Sequence, residues 1–132
     1  MYILDTNTVI HYFKGVASVV HRLLSVSPSS IAIPSVVIYE LEVGILKSAT
    51  KQKRRKQLDA LTKTVQTIPF TDVEAREAAH VRTYLESIGT PIGSIDNQIA
   101  GVVLSQNAIL VTRNTKEFTR VPNLRIENWY QT

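Results

Sequence analysis

Short apolar runs alternate with longer amphipathic stretches along the whole of this chain. The apolar runs lie at 2–4, 31–33, 65–69, 109–111 and 124–126. The stretches between them repeat apolar residues at intervals of three or four, which is typical of helices. Parallel strands need long crossover connections, and helices usually supply them. The pattern therefore predicts an α/β fold with a short central parallel sheet and helices on both faces.

The size of the chain and its missing features narrow the possible functions. At 132 residues, with no linker or repeat, we expect one domain over residues 1–132. Cysteine is absent, which excludes disulfides and thiolate chemistry. No apolar run approaches the ~18 residues of a membrane helix, and the start reaches a carboxylate at Asp5, unlike a signal peptide. We therefore expect a cytoplasmic protein with no membrane partner.

Several catalytic classes have no support in the sequence. There is no Walker A loop, Gly-x-Ser-x-Gly elbow or Gly-x-Gly-x-x-Gly turn. His11, His21 and His80 lack the spacing of metal ligands, which also disfavours ribonuclease chemistry by a histidine pair. The net charge of +4 is compatible with a polyanionic partner without requiring one.

Two aspartates lie where predicted strands or loops pass into helices. Asp5 directly follows the run Tyr2–Leu4, and Asp96 lies two residues after Ser94, where a helix is predicted to start. Thr6 is expected to cap the first helix, and Ser35 the helix after the second strand. Functional groups of parallel α/β sheets collect at the carboxyl ends of the strands. Either aspartate alone has a simpler interpretation, as a cap or as a charge favoured by a helix dipole.

Glu40 adds a third acidic group, on a predicted helix with an apolar face. If Asp5, Glu40 and Asp96 converge, their carboxylates repel one another unless a cation compensates. A hard divalent cation such as Mg²⁺ resolves the conflict through oxygen ligands. Such an ion acidifies water and offsets charge on a phosphoryl oxygen, which points to hydrolysis of a phosphodiester.

Four sequence blocks, in this order, resemble PIN-domain ribonucleases, and in particular VapC-type toxins of bacterial toxin–antitoxin pairs. They are YILDTNTVI at 2–10, ELEVG at 40–44, PIGSIDNQIAG at 91–101 and LVTRNTKEF at 110–118. The resemblance covers nearly the whole chain. It implies a PIN-like three-layer α/β/α fold and an endoribonuclease, dependent on Mg²⁺ or Mn²⁺, that cuts structured RNA, often tRNA. It also implies a cognate antitoxin, a toxin homodimer and a larger toxin–antitoxin complex.

The resemblance assigns site residues position by position. Asp5 and Asp96 match the family's metal-binding aspartates, and Glu40 matches its acidic residue because it stands four before Gly44. The fourth acidic position of many relatives is Asn114 here, a departure that weakens the case for a second metal. Asn114 remains a candidate through its carbonyl, and nearby Glu117 is a candidate replacement. Thr6 and Thr112 fit the family's small polar neighbours of the acids, where hydrogen bonding to them or simple capping are equally open.

Basic residues supply candidates for RNA contact, because phosphate contacts by Lys and Arg give salt-dependent affinity. The candidates are Lys51, Lys53, Arg54, Arg55 and Arg113, the first four in the densest basic segment. A solvated helix face is an equally good interpretation of that segment. Two alternatives to the ribonuclease stay open: a metal nuclease of the same fold acting on DNA or other RNA, and a non-catalytic RNA-binding module with a degenerate acidic cluster.

Overall fold

The computed structural model describes residues 1–130, in which strands and helices follow one another as the sequence predicts. The strands are β1 (Tyr2–Leu4), β2 (Ile31–Pro34), β3 (Gln66–Ile68), β4 (Ile109–Val111) and β5 (Arg125–Glu127). The helices are α1 (Thr6–Phe13), α2 (Ala17–Ser25), α3 (Ser35–Lys47), α4 (Lys51–Thr64), α5 (Asp72–Ser87), α6 (Ser94–Ser105) and α7 (Thr115–Phe118), with a 3₁₀ turn at Pro28–Ser30.

The five strands form one parallel sheet in the order β3-β2-β1-β4-β5. β1 lies in the centre, with Leu4 opposite Val111 of β4. The two strands therefore end side by side, and the residues that follow them, Asp5 and Thr112, become neighbours. The order of the strands reverses between β1 and β4, and open α/β sheets place their ligand sites at such a point.

Both faces of the sheet are covered. Side chains alternate between the two faces along a strand, yet Ile3 and Leu4 are both fully buried, as are Ala32 and Ile33 of β2. Such continuous burial is typical of a parallel sheet packed between helices. The predicted three-layer α/β fold is thus confirmed, with the carboxyl ends of the strands left open for a site.

Helices α5 and α6 pack against each other more extensively than any other pair of elements. Gly101 makes this possible, because a Cβ at this position would lie 2.6 Å from the backbone nitrogen of Ala78. α5 begins at a capping box, where Oε1 of Glu74 accepts the backbone N–H of Thr71 at 2.7 Å. Gly89, with φ of +75°, follows its end. The tight pair fixes where the first turn of α6, and with it Asp96, is held.

The helix starts differ from the prediction at two places. Asp5, not Thr6, caps α1, because its carboxylate accepts the backbone N–H of Thr8 and the Thr6 hydroxyl donates elsewhere. α3 begins after Pro34, and Ser35 is its first residue rather than its cap. α7 was not predicted, since a helix this short carries no apolar period.

No helix among residues 1–130 is long and apolar enough to cross a membrane.

Candidate active site

Asp5 is held rigidly between the ends of β1 and β4. Its side chain is only 6% exposed. Oδ1 accepts the backbone N–H of Thr8 at 3.0 Å, and Oδ2 accepts the hydroxyl of Thr112 at 2.6 Å. The Thr112 hydroxyl in turn accepts the backbone N–H of Asn114 at 3.0 Å. Both oxygens of Asp5 are therefore oriented before any ligand arrives.

Glu40 lies on α3, in the second turn after β2. The hydroxyl of Thr6 donates a hydrogen bond to its Oε1. Thr6 is the first residue of α1, so this bond joins the residue beside Asp5 to α3. The hydrogen bonds from Thr6 and Thr112 to acidic residues, one of the two interpretations left open by the sequence, are both present.

Asp96 lies in the first turn of α6 and is half-buried. The pKa of its carboxyl is raised from 3.8 to about 6, although a helix N-terminus favours negative charge. Burial is the largest cause of this rise, and the neighbouring carboxylates of Glu117, Asp5 and Glu40 contribute the rest, in decreasing order. Three carboxylates, one directly after β1, one on α3 and one on α7, thus act on Asp96 of α6, and the repulsion among them is a feature that a bound cation would relieve.

The chain is similar to known proteins over almost its whole length. The sequence model of the PIN domain matches residues 2–124. The chain is 38% identical to Ribonuclease VapC2 of Rickettsia felis over 131 residues, 98% of each chain. It is 30% identical to the tRNA(fMet)-specific endonuclease VapC of Salmonella typhimurium over 128 residues, 97% of each.

The chain belongs to the PIN domain family. A crystal structure of VapBC2 from Rickettsia felis bound to a DNA fragment of its promoter has a chain that superposes with a TM-score of 0.90 at 37% identity. The match covers 97% of this chain and 98% of that one. The resemblance to the PIN family seen in the sequence is thereby confirmed, and the parallel sheet of five strands is the PIN fold.

The structure of this PIN domain brings the predicted acidic residues together. Asp5 and Glu40 both lie within electrostatic reach of Asp96, although the three are distant in sequence. Asn114 lies at the rim, where its Nδ2 donates to Oε2 of Glu117 at 3.1 Å. Glu117 has the largest electrostatic effect among the carboxylates on Asp96. The geometry therefore favours Glu117, oriented by Asn114, as the fourth acidic group.

The donor set fits a hard divalent cation. Among residues 1–130, no three His, Asp or Glu side chains are already arranged as a metal cluster. Mg²⁺ does not require one, because it usually takes one or two protein carboxylates and retains several waters. Asp5 and Asp96 supply such a pair, with Glu40 and Glu117 nearby to hold waters or add charge.

The predicted RNA-binding residues fall in two places. Lys51 and Lys53 are exposed on α4, whereas Arg54 bonds to Gln57 and Arg55 forms an ion pair with Glu42 of α3. That ion pair joins α3 to α4 and occupies Arg55 with a carboxylate of its own chain. Arg113 is exposed and directly follows Thr112, beside the acidic groups.

Sequence reasoning missed Tyr130. Its ring stands beside Thr8 and within electrostatic reach of Asp5, and burial raises the pKa of its hydroxyl above the ordinary value of 10. Tyr130 therefore remains a neutral phenol at physiological pH. It lies at the far end of the chain from Asp5, outside every recognised motif, so no local pattern could have indicated it.

Proposed function

We propose that this chain is a metal-dependent endoribonuclease toxin of the VapC type, which hydrolyses phosphodiester bonds in structured RNA and is inhibited by a cognate antitoxin. The observation that carries the proposal is the convergence of carboxylates around Asp96 at the carboxyl ends of the strands. Relatives of nearly the same length, matched over nearly their whole chains, are named ribonucleases and support it.

The acidic residues have different proposed roles, which follow from the contacts that hold each side chain. Asp5, fixed by Thr8 and Thr112, and Asp96, in the first turn of α6, would hold Mg²⁺, with Mn²⁺ as a substitute. When bound, this ion acidifies water and offsets negative charge on a phosphoryl oxygen. Glu40, oriented by Thr6, is placed to orient the attacking water and take up its proton. Glu117, which accepts a hydrogen bond from Asn114, would add negative charge near Asp96.

The proposed substrate is RNA, and tRNA is the first class to test. The name of the Salmonella typhimurium relative, at 30% identity, specifies tRNA(fMet). Arg113 at the cleft and the exposed lysines of α4 supply positive charge for phosphate contacts, which give affinity that falls with salt. A cytoplasmic location is the one where such a substrate is available.

The proposed antitoxin has a suitable docking surface away from the carboxylates. Helices α1, α2 and α4 enclose a groove of about 470 Å³, lined mainly by apolar side chains such as Tyr12, Phe13, Leu23 and Leu61. Leu24, also on its wall, is 69% exposed, a costly arrangement for an isolated chain. The matching solved structures include VapBC complexes from Rickettsia felis and nontypeable Haemophilus influenzae, which supports an antitoxin segment as the occupant.

A homodimer is the proposed state of the toxin. Tyr39, Val43 and Leu46 follow one another at helical spacing on α3, so they share one face. Tyr39 is 62% and Leu46 is 68% exposed. Light scattering of the purified chain and of Leu46→Glu tests this surface: a dimer that becomes a monomer in the variant supports it, and a wild-type monomer refutes it.

The decisive experiment measures cleavage by the purified chain, with Asp5→Asn and Asp96→Asn as variants and exposed Asp59→Asn as the matched control. The substrates are bulk tRNA, unstructured RNA and DNA, each with Mg²⁺ and with EDTA. We expect Mg²⁺-dependent cleavage of tRNA, lost by more than about 100-fold in both site variants and kept by the control.

Three results would contradict the proposal. Cleavage that persists in both variants would remove the carboxylates from the mechanism. Faster cleavage of DNA would favour the nuclease of other specificity. Binding of RNA with no cleavage at any metal concentration would favour the non-catalytic module. Mapping RNA ends after brief induction of wild type and Asp5→Ala then identifies the RNA that is cut in cells.

A further inference from the structure

Tyr130 is fixed to the first two helices through both its side chain and its main chain. Its hydroxyl is hydrogen-bonded to Nδ1 of His11 on α1, and the two rings meet edge to face with centroids 5.2 Å apart. Its carbonyl oxygen accepts the hydroxyl of Ser18 on α2 at 3.2 Å. Three separate contacts thus hold a single tyrosine ring in one orientation at the edge of the cleft.

The exposed guanidinium of Arg113 rests against this ring. Its central carbon lies 5.3 Å from the centroid of the Tyr130 ring, within the range of a cation–π contact. Within residues 1–130, no carboxylate forms an ion pair with Arg113. The arrangement is unexpected for an arginine one residue from Thr112, which itself donates to the Asp5 carboxylate.

The acidic cleft would attract a freely moving arginine. Asp5, Glu40, Asp96 and Glu117 lie together there, and a guanidinium pairs with carboxylates in a strong bidentate geometry. An arginine that folded inwards would occupy the oxygens meant for a cation and would be lost to the substrate. The Tyr130 ring offers the guanidinium another resting place, close to the carboxylates but not on them.

We propose that Tyr130 is a positioning residue that holds the Arg113 guanidinium at the mouth of the cleft, where it binds an RNA phosphate beside the one that is cut. The proposal rests on the proposed ribonuclease function and identifies how its substrate is held. Contacts with His11 and Ser18 hold Tyr130 in place, and its ring holds the guanidinium of Arg113. The guanidinium is then free to bind a phosphate of the RNA. A planar guanidinium suits this task because it binds phosphate with two parallel hydrogen bonds.

The test is a double-mutant cycle on RNA binding, measured in EDTA so that cleavage does not interfere. Arg113→Ala should weaken binding of tRNA about tenfold and reduce the slope of log affinity against log salt by about one. Tyr130→Ala should weaken binding severalfold, and should add nothing in the Arg113→Ala background. Tyr130→Phe, which keeps the ring, should recover most of the affinity lost in Tyr130→Ala.

Matched controls separate positioning from general damage. Arg76→Ala removes an exposed arginine of α5, and Tyr84→Ala removes a partly exposed tyrosine of the same helix; neither should change tRNA affinity beyond about twofold. In steady-state cleavage, Arg113→Ala and Tyr130→Ala should raise KM while kcat stays within about threefold, as expected for lost binding rather than lost chemistry. Thermal unfolding of each variant verifies the fold.

The outcomes distinguish this inference from the function on which it rests. Additive effects of Tyr130→Ala and Arg113→Ala would overturn the positioning role, as would a Tyr130→Ala variant that binds tRNA like wild type. A fall in kcat with unchanged KM would also overturn it. If the wild type binds tRNA but cuts no RNA, the proposed function fails, and the binding cycle still decides the role of Tyr130.

Discussion

The cleft has two sides that hold the same residue type in opposite ways. On the strand side, Asp5 is buried between β1 and β4 and both its oxygens accept hydrogen bonds from the chain. On the helix side, Asp96 is half-buried, accepts no hydrogen bond from residues 1–130 and carries a pKa raised to about 6. The chain supplies hydrogen-bond donors to the Asp5 carboxylate and, within residues 1–130, none to the Asp96 carboxylate.

This difference teaches how a carboxylate site can be both stable and reactive. Hydrogen bonds to a buried charge stabilise the fold, so Asp5 contributes to structure as well as to function. The crowding of like charges around Asp96 destabilises the metal-free chain, and a bound cation would relieve this repulsion. We therefore expect mutations of the two aspartates to change the free energy of unfolding in opposite directions.

The largest expected effect is on the strand side. Asp5→Ala removes the α1 cap and leaves the buried Thr112 hydroxyl without its acceptor, so we expect the free energy of unfolding to fall by roughly 3 kcal/mol. Urea unfolding in EDTA measures it. Asp59→Ala, an exposed aspartate of α4, should change stability by less than about 0.5 kcal/mol. Equal stability of Asp5→Ala and wild type would show that the strand side is not structural.

Thr112 provides a finer probe of the same side. It is fully buried, donates to Asp5 and accepts from Asn114. Thr112→Val keeps the shape but leaves two polar partners unsatisfied, so we expect a loss of about 2 kcal/mol in the free energy of unfolding and weaker Mg²⁺ binding. Thr112→Ser retains the hydroxyl and should recover most of both. A valine variant as stable as the serine variant would contradict this role.

On the helix side, removing the carboxylate is expected to stabilise the fold instead of destabilising it. The pKa of Asp96 is higher in the folded chain than its ordinary 3.8, so the unfolded state releases its proton first as pH rises. Metal-free wild type should lose stability between about pH 4 and 6, whereas Asp96→Asn avoids that loss. Above pH 6 we expect the variant to be more stable by about 1 kcal/mol, after allowing for solvent screening.

Urea unfolding from pH 4 to pH 8, with and without Mg²⁺, tests this reversal. Mg²⁺ should stabilise the wild type above pH 6 and have little effect on Asp96→Asn, because a ligand stabilises only the state that binds it. An Asp96→Asn variant that is less stable than wild type at pH 8 in EDTA would show that Asp96, like Asp5, stabilises the metal-free fold.

The smallest effect concerns Glu117. Its carboxylate is the first of the neighbouring charges that raise the pKa of Asp96. Glu117→Gln should therefore lower that pKa below about 6, as followed by NMR titration of the Asp96 carboxyl carbon. Glu86→Gln, on α5 and paired with Arg82, should leave the Asp96 titration unchanged. An unchanged titration in Glu117→Gln would exclude Glu117 from the site.

Much of this arrangement follows from the sequence. The apolar runs predict the parallel sheet, whereas the resemblance to the PIN family, and not the positions of Asp5 and Asp96 alone, implies that these two aspartates share a site. The sequence could not decide between Asn114 and Glu117, because that choice depends on a short helix without an apolar period. Nor could it indicate Tyr130, since the contact with His11 joins residues from opposite ends of the chain. Local patterns predict elements, whereas such contacts depend on how the elements pack.

The pairing of β1 with β4 has a consequence for how the chain folds during its synthesis. Asp5 leaves the ribosome early, but its partner Thr112 is translated more than a hundred residues later. The nascent chain therefore lacks half of its central ladder, and a formed acidic cleft, until synthesis is nearly over. The proposed ribonuclease site, and with it the proposed toxicity, would arise only once almost the whole chain has been made.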